Sequence, residues 1–425
     1  MTTADDADVQ RRLDQLADQL AERGELRSPE WRQAFRTVRR HVFVPRYWHD
    51  EEPGAFPARW RMVDNATRDH HEWLDAVYSN RTLATDLTGT PTTGDGMHPQ
   101  VTSSTTLPGL VMTMLESVDI AAGMHVLEIG TGTGYNAALL CERLGESNVT
   151  SIDIDPELVA LAGIRLANHG YRPHLVVGDG AAGVPQRAPF DRIIATCGVD
   201  RIPRTWIEQT RTGGKIMANI RGPFTAYTLI LLTVHDGTAS GNFLPQSGNF
   251  MPLRTDPARP FNYTVTIHHN ATDTANGHSP LNPQDAYDDQ TWGLLAQTHL
   301  TGLACRQIYL DDEEHLGTEL ATPDGSSWAL VHHTPDDNGH PTQQAGPRRL
   351  WDELEQLYDH WTTLGRPTYH RFGLTLGHHG QTLWLDHPDS SHTMNRNYRF
   401  PPSRHEGPVK ELAQVGWPGP DLRRV

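Results

Sequence analysis

The chain reads as an α/β protein built on a doubly wound, Rossmann-like sheet, with a helical segment before it and an additional α+β region after it. Three observations carry that reading. Residues 126–129 (VLEI) form a short apolar run of buried-strand character. They run into Gly130, Gly132 and Gly134, which permit a tight turn without Cβ clashes, and then into residues 136–144 with Ala137, Ala138, Leu140 and Cys141 on one helical face. A second strand, 148–154 (NVTSIDI), brings Asp153 to a position 23 residues after Gly130 (153 − 130). Strand, glycine turn and helix in that order place a nucleotide-like ligand at the carboxyl end of the strand, and an acidic side chain at the end of the next strand can accept both hydroxyls of a ribose.

The other elements follow in chain order. Residues 11–23 carry Leu13, Leu16 and Leu20 at helical spacing and stop at Gly24. Ser28 and Pro29 open a second helix, serine as cap and proline in the first turn, with Trp31, Ala34, Phe35 and Val38 on its buried face. Residues 46–98 hold Trp48, Trp60 and Trp73 among many polar side chains and read either as a lid over a site or as packing. Residues 175–177 are a third short strand before Gly178-Asp179-Gly180, where a carboxylate can accept from an adenine amine. A fourth strand spans 190–197; residues 206–214 are read as a helix stopped by Gly213 and Gly214, ahead of a strand at 215–218. Residues 229–234 and 243–253 are expected to finish the sheet as antiparallel strands around Asp236-Gly237. The glycine spacing is G-x-G-x-G, with Tyr135 where a dinucleotide fingerprint would place glycine. The series therefore points to a class I methyltransferase sheet using S-adenosylmethionine, with S-adenosylhomocysteine as product.

Beyond about residue 256 the expected elements are strands at 262–269 and 328–332, a connector at 334–347, an amphipathic helix at 350–364 with Leu350, Leu354, Leu357 and Trp361 on one face, and a hairpin of 371–376 with 381–386. Three parts result: residues 1–98 as N-terminal helices and insertion, 99–255 as the cofactor-binding core, and 256–425 as a C-terminal α+β domain, read as selecting the substrate.

Composition narrows the function. The net charge is 36 − 52 = −16, and no run of Lys or Arg offers a local grip on nucleic acid. Met1 to Gln10 is polar and acidic and the longest apolar run, 229–232, is far too short for a bilayer, so a cytoplasmic enzyme without membrane contact is expected. Cys141, Cys197 and Cys305 are scattered and odd in number, which suits free thiols. The histidine pairs 268–269, 332–333 and 378–379 point to opposite faces of a strand, and no zinc spacing occurs, so no metal is expected.

The runs LEIGTGTGY, GDGAAGVPQRAPFDRII and the paired glycines before the fifth strand, with RRHVFVP at 39–45, Tyr78-Ser79 and FMPL at 250–253, resemble the protein-L-isoaspartate O-methyltransferase family over about residues 10 to 254. The resemblance implies cofactor contacts at Glu128, Gly130, Thr131, Gly132, Gly134, Asp153, Ile154, Asp179 and Gly180, and substrate contacts at Tyr78, Ser104 and Thr105. It also implies a hydroxyl from a Q-T-I-S-x-P segment that orients the acceptor carboxylate. The matching stretch here is residues 100–108, QVTSSTTLP. Anchoring on Pro108 and the following helix selects Thr106, the preferred residue; anchoring on Gln100 selects Ser103. A third reading leaves 103–106 as a loop rich in capping residues. No strong base is needed, because a side-chain carboxylate is already ionised at neutral pH.

The substrate is expected to be a peptide. Extended members of the resembled family methylate an aspartate in ribosomally made, cyclised precursor peptides of the graspetide and lanthipeptide kind, where the ester closes to a succinimide and opens to isoaspartate. The added C-terminal region favours that substrate over general isoaspartyl repair. A reading of another class, a non-catalytic cofactor-binding partner of a peptide cyclase, is opposed by the intact glycine turn and Asp153.

Overall fold

The computed structural model describes residues 3–52, 59–66, 70–87, 101–224, 226–256, 267–300, 302–309, 316–377, 380–389 and 410–411. The readings made above for residues 88–100, which include Gln100, for 262–266 and for the pair 378–379 lie outside them.

The N-terminal part begins with helices α1 (Thr3–Glu22), α2 (Pro29–Thr37) and α3 (Arg40–Phe43). Val9, Leu13, Leu16 and Leu20 form the buried stripe of α1 and meet Trp31, Phe35 and Phe43 in a common core. Ser28 caps α2 as expected, its hydroxyl accepting from the Trp31 amide at 3.4 Å. Strands β1 (Arg46–Asp50) and β2 (Trp60–Asp64), helix α4 (His70–Val77), and strands β3 (Leu83–Leu87) and β4 (Val101–Thr105) follow. The four strands make an antiparallel sheet in the order β2-β1-β3-β4. Trp73 is buried and its indole donates to the Val44 carbonyl at 2.8 Å, so this tryptophan is packing. Residues 103–105 therefore belong to a strand paired with 83–86, and Leu107, with no side-chain cap, starts α5 (Pro108–Ser117). The reading of 103–106 as a capping loop fails there, because the strand ladder takes up the polar backbone that caps would serve.

The central part alternates as expected: β5 (Val126–Ile129), α6 (Tyr135–Leu144), β6 (Val149–Asp153), α7 (Pro156–Asn168), β7 (His174–Val177), β8 (Phe190–Val199), α8 (Arg204–Gln209), β9 (Thr210–Ile220), β10 (Thr228–His235) and β11 (Thr238–Ser247). Strands β9-β8-β5-β6-β7 are parallel, and β10 and β11 add antiparallel strands beside β9. Two boundaries differ from expectation. The helix read over 206–214 stops at Gln209, and the paired glycines lie in β9 opposite a register shift: Phe190 pairs with Thr210 but Arg192 pairs with Lys215, so the extra residues bulge out of the ladder. The strand read over 243–253 ends at Ser247. Residues after it cross the carboxyl ends of the sheet, with Gly198 donating to Met251 O at 2.8 Å and Leu253 to Gly198 O at 2.7 Å.

The C-terminal region holds β12 (Ala275–Ser279), α9 (Asp285–Asp288), α10 (Gln290–His299), β13 (Ala304–Tyr309), β14 (Leu316–Ala321), β15 (Trp328–His332), β16 (His340–Ala345), α11 (Leu350–Thr363), and β17 (Phe372–Gly377) with β18 (Gly380–Leu385). β16 runs through the stretch read as a connector, since it has partners on both sides: β12 and β15 in the five-stranded sheet β12-β16-β15-β14-β13. Residues 267–269, the described end of the strand read over 262–269, form none. The β17–β18 hairpin pairs with β11 and extends the main sheet, and Lys410–Glu411 (β19) pairs with β7 at the other edge. Trp292, Trp351, Trp361 and Phe372 share one buried cluster with Ile216, Ile230 and Leu232 of the sheet. Among the described residues no helix is long and apolar enough to cross a membrane.

Candidate functional site

The carboxyl ends of β5 and β6 open into a cavity of about 360 Å³, walled on the far side by residues 102–107 and by 249–254. That volume lies in the range of small-molecule sites, roughly 300–1,000 Å³. The turn after β5 is shaped to let a ligand approach the backbone. Gly130 has φ +99°, and a Cβ there would stand 2.7 Å from the Thr196 hydroxyl, which donates to the carbonyls of Ile129 (3.1 Å) and Gly130 (2.8 Å). Gly134, at φ +87°, precedes α6, and a Cβ there would press on Ala162 Cβ at 3.1 Å. Only glycine meets both demands, conformation and close approach.

Two carboxylates face this turn. Glu128 is fully buried on β5 and accepts from Asn136 Nδ2 at 2.7 Å and Ser151 Oγ at 2.5 Å. Burial pushes its carboxyl up to about 7 despite those bonds. Asp153, at the end of β6, accepts from the Gly132 amide at 2.9 Å and the Asp155 amide at 3.2 Å. Burial raises its pKa, while these N–H groups and the charge of Arg254 pull it back. A negatively lined end with a bare backbone turn suits a cation that carries a ribose.

Of the residues expected from sequence, Glu128, Gly130, Thr131, Gly132, Asp153, Ile154 and Gly180 line the cavity, and so do Ser103, Ser104, Thr105 and Thr106. The turn and the hydroxyl segment come together there, a Cβ on Gly132 standing 3.8 Å from the Ser104 carbonyl oxygen. Three expected residues stand elsewhere. Gly134 shapes the turn without lining the cavity. Asp179 is not in the wall either: its carboxylate closes a turn, accepting from the Ala181 amide at 2.8 Å, and the wall at that point is Gly180. Tyr78 is buried behind the site, its hydroxyl 2.6 Å from His41 Nδ1, so it is not on the cavity surface.

The two candidate hydroxyls differ. Ser103 is buried, and its oxygen accepts from Thr85 Oγ1 at 2.9 Å. Thr106 is half-buried just beyond the strand, and among the described residues its hydroxyl makes no hydrogen bond. Of the two, Thr106 is the hydroxyl with no partner among the described residues, while Ser103 accepts from Thr85 and keeps its own O–H.

One residue of the cavity wall and one behind it were not anticipated. Arg254 follows directly after the FMPL run and lines the cavity, its guanidinium 3.8 Å from the Asp155 carboxylate. Arg40, in the RRHVFVP run, is wholly buried and donates to the carbonyls of Val77 (2.8 Å), Ser79 (3.1 Å), Arg81 (3.0 Å) and Thr106 (3.1 Å). Its place in the RRHVFVP run is the sequence signal that could have marked it. Among the described residues no cluster of His, Cys, Asp and Glu is arranged to hold a metal.

A family model for protein-L-isoaspartate(D-aspartate) O-methyltransferase matches residues 84–240. The protein-L-isoaspartate O-methyltransferase of Thermococcus sibiricus is 31% identical over 219 residues, 50% of this chain and 79% of that protein. Those of Thermococcus onnurineus and Pyrococcus horikoshii are 43% and 44% identical over 112 and 111 residues, 26% of this chain in each case, and the chain spans 50% of the length of each. A solved protein-L-isoaspartate O-methyltransferase superposes with a TM-score of 0.49 at 22% identity, covering 88% of this chain and 99% of that one.

Proposed function

Because the chain belongs to the protein-L-isoaspartate O-methyltransferase family, we propose that it is an S-adenosylmethionine-dependent carboxyl O-methyltransferase acting on an aspartyl or isoaspartyl side chain of a peptide or protein. One observation carries this reading: a glycine turn with Asp153 and the hydroxyl segment 103–106 line one cavity. Asp153 would hold the ribose hydroxyls, the Gly130–Gly132 backbone would lie along the cofactor, and Ile154 and Gly180 would wall the adenine. When bound, S-adenosylmethionine supplies a methyl already activated on a sulfonium, which an ionised carboxylate oxygen accepts without a general base. Thr106 would orient that carboxylate in line with the methyl carbon. Leu107, Phe250 and Leu253 line the same cavity and would keep water from it.

A narrower substrate is a second reading. The cavity wall ends at Arg254, and the region after it builds a five-stranded sheet and lengthens the main one, structure that the cofactor does not require. That favours a dedicated peptide, such as a cyclised ribosomal precursor presenting one aspartate, whose preorganised ring loses less ordering entropy than a flexible chain. Mass spectrometry of the enzyme with a synthetic isoaspartyl peptide and with a cyclised precursor separates the two. Ester formation on the isoaspartyl peptide alone supports general repair. Ester formation on the cyclised peptide alone, followed by loss of methanol, supports the dedicated role. Methyl transfer to neither, with cofactor bound, would overturn the carboxyl methyltransferase reading.

A further inference from the structure

Arg40 is a cation buried without a counter-ion. Its side chain is fully enclosed, and among the described residues no carboxylate pairs with it; its partners are neutral backbone carbonyls and the ring of Tyr135, 5.8 Å from the guanidinium carbon. Nε is buried with no hydrogen-bond partner. Burial lowers its pKa only to about 10, so the charge persists at neutral pH. Charges without a paired opposite are costly in a protein interior, and their field reaches far there because little screens it.

That field is directed by what Arg40 holds. Nη2 bonds the Thr106 carbonyl at 3.1 Å, which draws the oxygen end of that peptide dipole toward the guanidinium, while the amide end, Leu107 N–H, donates to Thr82 Oγ1 at 3.1 Å. The ten-residue helix α5 starts two residues later, but its Gly109 amide donates to Asn80 at 2.8 Å and the Glu25 carboxylate lies beside that glycine, so Arg40 and not the helix is the charge at issue. The same cavity is lined by Glu128 and by Asp153, whose charge Arg254 partly offsets, while on the hydroxyl segment Asp86 is a surface carboxylate bonded to Thr102 at 2.6 Å and Arg40 is the buried charge.

We propose that Arg40 is a positioning residue whose uncompensated charge makes the Thr106 end of the cavity electropositive, so that an anionic acceptor carboxylate is drawn there and held apart from the acidic wall. The inference rests on the carboxyl methyltransferase reading for the identity of the acceptor, but its test needs no acceptor. A positive potential from Arg40 must penalise the sulfonium of S-adenosylmethionine relative to the neutral thioether of S-adenosylhomocysteine. Calorimetry with both ligands on the full chain reads that ratio.

Arg40→Met and Arg40→Gln should each shift the affinity ratio toward S-adenosylmethionine by about threefold or more, whereas Arg40→Lys, which keeps the charge and loses the fork, should leave the ratio as in the unaltered protein. Either neutral side chain decides the point, so only one of the two variants needs to fold. A purely structural arginine would weaken both ligands alike. An unchanged ratio in the neutral variants, or the same shift in the lysine variant, would overturn the proposal. Failure of the unaltered chain to bind either ligand would instead overturn the cofactor reading.

Discussion

The two ends of the cavity are assembled differently. At the glycine end the carboxylates are supported locally: Asn136 to Glu128, Ser151 to Glu128 and Gly132 to Asp153 join residues no more than 23 apart, and Thr196 of β8 closes the turn from 66 residues away. At the hydroxyl end the supports come from far along the chain. Arg40 reaches Thr106 across 66 residues, the Asn80 side chain accepts from the Gly109 amide across 29, and the segment after β11 closes the wall. The carboxylates at the glycine end sit within one strand–turn–helix–strand unit, whereas the hydroxyl end is drawn from the N-terminal sheet and a distant strap. The two ends should therefore answer separately to substitution, cofactor affinity following one and transfer rate the other.

The largest effect is expected at the local end. Asp153→Ala removes an acceptor of charge-assisted hydrogen bonds from a buried site and should weaken S-adenosylmethionine binding by about 2–4 kcal/mol. Calorimetry showing unchanged affinity would contradict the ribose role. At the distant end, Thr106→Ala should slow methyl transfer by the loss of one hydrogen bond to a charged group, about 1.5–3 kcal/mol in activation free energy, with cofactor affinity nearly unchanged. Ser103→Ala is the control. Its hydroxyl already serves Thr85, so single-turnover rates in which Ser103 proves the more sensitive of the two would shift the site by three residues.

A smaller effect sharpens the boundary behind the hydroxyl end. Tyr78→Phe deletes the bond to His41, which burial holds neutral by pulling its pKa down to about 4. Stability should fall by about 1 kcal/mol in denaturant titration, while the transfer rate stays near its original value. A large loss of rate with intact stability would return Tyr78 to the substrate surface.

The smallest effect concerns pH. Because burial lifts the Glu128 carboxyl to about 7, its ionised fraction grows as pH rises through neutrality. A bound sulfonium favours the ionised form, so S-adenosylmethionine affinity should increase modestly from pH 6 to pH 8, and S-adenosylhomocysteine affinity should change less. In Glu128→Gln the difference between the two ligands should become independent of pH. Parallel pH profiles for both ligands in the unaltered protein would show that Glu128 does not sense the cofactor charge.

What sequence alone determined is what local chemistry dictates. The run from Val126 to Asp153 announces strand, glycine turn, helix and strand because apolar periodicity and backbone permissiveness are properties of neighbouring residues, and the cavity-lining residues Glu128, Gly130, Gly132 and Asp153 were legible with it. The hairpin of β17 and β18 was legible for the same reason, but not its pairing with β11, which needs a partner more than a hundred residues away. Asp179 and Tyr78 were read as cofactor and substrate contacts; nothing in their neighbours reveals that a turn amide takes one Asp179 oxygen and that a buried histidine meets the Tyr78 hydroxyl. Tertiary structure alone decided that Ser103 accepts from Thr85, that residues 249–254 turn back across the sheet, and that Arg40 bonds the backbone of the hydroxyl segment. Each of these depends on which groups meet after the chain has closed, and burial and hydrogen-bond partnership are set by that meeting.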